Sequence, residues 1–192
     1  MTSSRHHPAL RVLHWLIATL IIAALFMGTF VMARTHNSDP SKVFALLKHM
    51  LAGGLILAPS LLRLFVRPRI KRPAPVLSGI AWADRIVPVV HRIFDVLVFV
   101  MVGSGVGIAV LSGLPDIVFG GAGILPKSFD NLPLHTLHIV TARLLAGTIV
   151  LHVAGALYHH FVLKDGLLSR MSFATGKGKT VLTRSEEHTS EL

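Results

Sequence analysis

Residues 138–160 read HIVTARLLAGTIVLHVAGALYHH, a long apolar stretch in which His138 and His152 stand fourteen residues apart. At ~3.6 residues per turn, fourteen residues come close to four turns of α-helix, so both imidazoles share one side of it, about 21 Å apart along the axis. One metal ion cannot bridge that distance, whereas two flat cofactors, one near each surface of a membrane, suit it. Ala142 and Ala156 each lie four residues beyond a histidine on the same stripe, where a methyl group lets a planar macrocycle approach the helix. Ionisable residues inside a lipid-spanning segment are costly and usually functional. The pattern therefore points to haem ligation and away from a histidine that merely bonds a neighbouring helix.

The rest of the chain agrees with a lipid setting. Of its 192 residues 52% are hydrophobic and only 15% charged. The apolar residues form long runs instead of the short periodic patches of a soluble core. A hydrocarbon core of ~30 Å needs roughly 20 apolar helical residues. Residues 12–33, 43–66, 86–112 and 134–163 meet that need, which predicts an all-α integral membrane bundle of four helices. The first run is too long for a signal-peptide core and lacks a small-residue cleavage site, so it is expected to stay as the first span. With no cysteine, thiolate metal sites, disulfides and covalent haem attachment are excluded, and twelve histidines are the available ligands. The net charge of +10 does not imply nucleic acid, because the basic residues flank the apolar runs.

Those charges set the expected topology. Arg5 and Arg11 precede the first span, and Arg67, Arg69, Lys71, Arg72 and Arg85 fill the loop between the second and third. Lys164, Arg170, Lys177 and Lys179 follow the fourth, whereas the other two loops carry sparse mixed charge. The positive-inside rule then puts both the N- and C-termini in the cytoplasm. Pro68, Pro73 and Pro75 mark the inner loop as non-helical, and Gly113, Gly120, Gly121, Gly123, Pro126 and Pro133 do the same for the long outer loop. Residues 1–171 read as one transmembrane domain and 172–192 as a basic disordered tail. The last nine residues, 184–192, match an in-frame translation of a common sequencing-adapter oligonucleotide and are assigned no role.

A bis-histidine haem needs a second imidazole at the same depth from another helix. The first span supplies His14 near its inner end, and the second supplies His49 near its outer end. The expected pairs are His14 with His152 and His49 with His138, two iron sites holding one haem each. A fourteen-residue step from His14 reaches Gly28, which leaves room where the first span passes the outer haem. The same step from His49 reaches Arg63, either a partner for a haem propionate or an ordinary positive-inside anchor. Gly53 repeats the small-residue spacing four residues after His49, although membrane glycines also serve helix packing.

Arg11-Val12-Leu13-His14-Trp15, His49 with Gly53, Leu61-Leu62-Arg63-Leu64, and the run from His138 through His152-Val153-Ala154-Gly155-Ala156-Leu157-Tyr158-His159-His160 to Lys164-Asp165-Gly166-Leu167-Leu168 and Arg170-Met171 resemble the bacterial cytochrome b561 family over about residues 9–171. That resemblance implies the same four ligands, two haem b groups, a place in the bacterial inner membrane, and a ubiquinone site at the cytoplasmic end. His159, two helical turns beyond His152, is the expected catalytic contact to the quinone. Short stand-alone members resemble superoxide oxidases, which pass electrons from superoxide to ubiquinone. By that likeness Lys42 and Lys48 would attract the anion beside His49. The alternative is an electron-transfer or anchor subunit of a membrane dehydrogenase or other redox partner. One departure is visible: family members tend to carry a proline before a serine-glycine pair in the third span, where this chain reads Val102-Gly103-Ser104-Gly105.

The remaining polar residues receive lesser roles. His91, Arg92 and Asp95 are expected to pack helices or form a polar cytoplasmic network, and His135 to meet solvent. Arg143 lies off the His138 stripe and is expected to bond another helix. Trp15, Tyr158 and His160 fit an interfacial belt, and His6, His7 and His36 lie in polar segments.

Overall fold

The computed structural model describes residues 7–66, 68–69 and 81–164. The tail from 165 onward, with the final part of the family-like motif, and most of the inner loop lie outside them. Among the described residues the protein is all helical, with four helices long and apolar enough to cross a membrane and no strand.

α1 (Pro8–Phe26) starts with proline in its first turn, where the missing amide costs nothing, and the His7 imidazole accepts from the Ala9 amide at 3.3 Å. It runs on through a π-helical segment, Met27–Met32, in which the Ala33 amide reaches back to the Gly28 carbonyl. α2 (Ser41–Val66) is opened by Asp39, whose carboxylate accepts from the Ser41 amide at 2.8 Å and whose carbonyl accepts from Lys42. Ser41 also holds the Asp39 carboxyl below the usual carboxylate range by hydrogen bonding to its charged form. Pro59 removes one donor inside α2, and beside it the Ser60 hydroxyl donates to the Ile56 carbonyl at 2.7 Å.

α3 (Ala81–Leu111) begins several residues earlier than the expected 86. Gly113, at φ 63°, then reverses the chain, and a short α4 (Leu114–Val118) follows. This corrects the reading of the outer loop as wholly non-helical. Glycine and proline do interrupt the chain there, but Pro115 falls in the first turn of α4, where proline is compatible with a helix. Leu114 is buried with Leu46 and Ala109 and pins the loop to α2 and α3. The Asn37 amide donates to the Pro126 carbonyl at 2.8 Å and ties the two loops at that end of the bundle together. α5 (Pro133–Tyr158) ends in a second π-helical segment, His159–Leu163, and Lys164 closes it at φ 50°.

The bundle consists of two packed halves. α5 lies along α3 in the most extensive interface, α1 lies along α2, and among the described residues α5 has no extended backbone contact with α1 or α2. Glycines permit the closeness of α3 and α5: a Cβ on Gly107 would collide with the Leu134 side chain. Large apolar side chains face outward along every span, Leu151 at 73% and Val150 at 67% exposure among them. In lipid that surface is solvated, so the helices associate through packing and polar contacts.

Candidate functional site

Across the seam between the two halves, four helices contribute residues at intervals of seven. His14, Ile21 and Gly28 lie on α1 and its continuation, and His49, Ile56 and Arg63 on α2. His91, Val98 and Gly105 lie on α3, and His138, Leu145 and His152 on α5. Seven residues are about two helical turns, so each set forms one stripe and the four stripes share three layers.

The proximal layer, at the end where α1 begins, brings His14 and His152 together with ring centres 6.5 Å apart. His91 and Phe94 meet His152 edge-on at 5.4 and 5.3 Å, and Trp15 meets His14 at 5.6 Å. Ile21, Ile56, Val98 and Leu145, joined by Ile17, make a buried apolar middle layer. The distal layer brings His49 and His138 to 6.0 Å. Glycines flank that pair: Gly28 stands where a Cβ would lie 3.7 Å from His49 Cε1, and Gly105 where one would lie 3.2 Å from His138 Cε1.

Two imidazoles on opposite sides of one metal, with metal–nitrogen bonds of about 2 Å, have ring centres roughly 6 Å apart. Both pairs meet this spacing. Each spans the seam where backbones stand apart, and the Nδ1 of His49 is buried with no hydrogen-bond partner among the described residues. Buried polar atoms are normally satisfied, so this ring is arranged for a ligand that accepts its lone pair. The residues present fit haem. His138 is held from behind, its Nδ1 lying 3.1 Å from the Met101 carbonyl and 3.0 Å from Ser104 Oγ.

Other expected residues fall elsewhere. His159 is half-buried at the start of the second π-helical segment, its ring edge-on to Tyr158 at 6.3 Å. Arg63 forms an ion pair with Asp95 of α3 at 3.6 Å, so its counter-charge comes from the protein. Lys42 is not a surface cation. Its buried ammonium donates to the Met32 and Thr35 carbonyls at 2.6 and 2.7 Å, closing the end of the first π-helical segment. Lys48 stays exposed, with Nζ 4.0 Å from the centre of the Phe44 ring. His135 contacts Asp130 Oδ1 at 3.3 Å instead of solvent alone. Arg143 is exposed and makes no hydrogen bond or ion pair among the described residues, contrary to the interhelical bond expected for it.

A helical membrane bundle with paired histidines across its seam defines the class, a cytochrome b of the membrane. The chain belongs to the prokaryotic cytochrome b561 family, whose model matches residues 5–174. It is similar to a probable superoxide oxidase, CybB, of Yersinia pestis, with 28% identity over 170 residues, 83% of this chain and 90% of that one. Membership makes it a bacterial membrane protein of electron transfer and implies haem b as its cofactor.

Proposed function

We propose that the protein is a di-haem electron carrier of the bacterial inner membrane that oxidises superoxide outside the cytoplasm and reduces ubiquinone at the cytoplasmic side. The observation that carries this reading is the pair of facing histidine couples, His49 with His138 and His14 with His152, separated by the apolar layer of Ile21, Ile56, Val98 and Leu145. One haem b at each couple would supply reversible one-electron chemistry. The distal layer faces the periplasm in this reading, and both termini lie in the cytoplasm, as the flanking basic residues direct.

The protein's own groups divide the remaining work. Lys48, exposed beside His49, raises the local concentration of an anionic donor; Lys42, engaged with the Met32 and Thr35 carbonyls, takes no part in this. Two superoxide anions each give up one electron and leave as dioxygen, and one ubiquinone takes both electrons with two protons to become ubiquinol. His159 is the catalytic residue proposed to hand one of those protons to the quinone. The superoxide assignment is supported by the likeness to the Yersinia protein and by how completely the two chains cover one another.

Purified protein supplied with superoxide and a short-chain ubiquinone is expected to form ubiquinol in detergent. Haem reduction with no quinol product would overturn the quinone half of the reading and move the protein to the anchor-subunit class.

A further inference from the structure

Ser104 lies on α3 one turn beyond Met101, and the residue is 3% exposed. Its hydroxyl donates to the Met101 carbonyl at 2.9 Å, while its oxygen stands 3.0 Å from His138 Nδ1. The same carbonyl lies 3.1 Å from that nitrogen. Nδ1 thus has two oxygens in reach, which fixes the proton on Nδ1 and leaves the Nε2 lone pair as the ring's free acceptor. Gly105 adds the third element, because only a residue without a Cβ lets α3 lie this close to the His138 ring without displacing it. Met101, Ser104 and Gly105 together form a seat for one imidazole.

An imidazole that donates its second N–H to a buried acceptor is a stronger electron donor at its ligating nitrogen, which favours the oxidised state of a bound metal. We propose that Ser104 is a positioning residue that fixes the tautomer of His138 and thereby lowers the reduction potential of the haem held by His49 and His138. The proposal rests on the di-haem reading above. Removal of the hydroxyl leaves the Met101 carbonyl as the acceptor that the described residues offer His138 Nδ1.

The test is a spectroelectrochemical titration of the purified holoprotein, with haem counted by pyridine haemochrome. The wild type should titrate as two one-electron components, and His49→Ala should remove the distal one and so identify it. In Ser104→Ala that component should move to higher potential while the other stays. The expected size is about fivefold in the reduction equilibrium, from a hydrogen bond worth ~1 kcal/mol, or about 40 mV at 59 mV per decade. Ser104→Thr, which keeps the hydroxyl, should restore the wild-type value. Unmoved potentials, a shift of the proximal component or equal shifts of both would overturn the proposal. Should Ser104→Ala retain one haem only, two haems at wild-type potentials in Ser104→Thr support the proposal, and the same loss in Ser104→Thr overturns it. A wild type without two haems per chain would instead overturn the di-haem reading itself.

Discussion

Each histidine couple sits between glycines or aromatic rings that have little tolerance for change. Replacing His49 or His138 by alanine is expected to remove one of two haem b groups, and replacing His14 or His152 the other, as counted by pyridine haemochrome. At Gly105 a methyl group would lie 3.2 Å from His138 Cε1, tighter than ordinary contact. Gly105→Ala should therefore tilt that ring and alter the low-spin ferric signal of one haem by electron paramagnetic resonance, with the other unchanged. His159→Ala should slow quinone reduction by about 10²-fold or more while superoxide still reduces the haems. The couples were legible because helical periodicity and lipid burial leave few ways to use His138 and His152. Ser104 was not. In Gly103-Ser104-Gly105 a serine between glycines reads as a packing device, and only the approach of α5 to α3 gives its oxygen a partner.

At the level of elements, the π-helical segments matter most. One holds Gly28 against His49, and the other begins at His159. Such insertions often mark functional sites, since they redirect side chains within a helix. The first depends on Lys42, whose ammonium satisfies two carbonyls at its end. Lys42→Met should cost about 1–3 kcal/mol in stability by leaving those carbonyls without a donor, measured by thermal unfolding in detergent. Asp39, with its carboxyl lowered by Ser41, stabilises the start of α2 above the ordinary carboxylate range and loses that effect as pH falls through its depressed value. A lower protection factor for the Ser41 amide, its exchange rate taken relative to the intrinsic rate at the same pH, in acid and at neutral pH in Asp39→Ala, would register the loss. Sequence alone found the spans but not α4, because Gly113 and Pro115 signal an interruption without telling whether a helix resumes. Nor could it pair Arg63 with Asp95, since the charge partner of an arginine on one helix depends on the rotation of the next.

For the whole molecule, reporter fusions at each end should place both termini on the cytoplasmic side. The three layers then acquire an electrical meaning. The proximal and distal couples are fourteen residues apart on α5, about 21 Å of a hydrocarbon core near 30 Å thick. In the proposed orientation, an electron that passes from the distal to the proximal couple would cross roughly two thirds of the membrane's voltage drop, toward the negative interior of an energised cell. That opposing work is about 1.6 kcal/mol for every 100 mV, a burden of more than tenfold on the equilibrium. In proteoliposomes with an imposed potential, quinone reduction should slow as the interior is made more negative and quicken when the potential is collapsed. On the proposed di-haem path, the apolar spacer of Ile21, Ile56, Val98 and Leu145 would make turnover answer to the charge on the protein's own membrane.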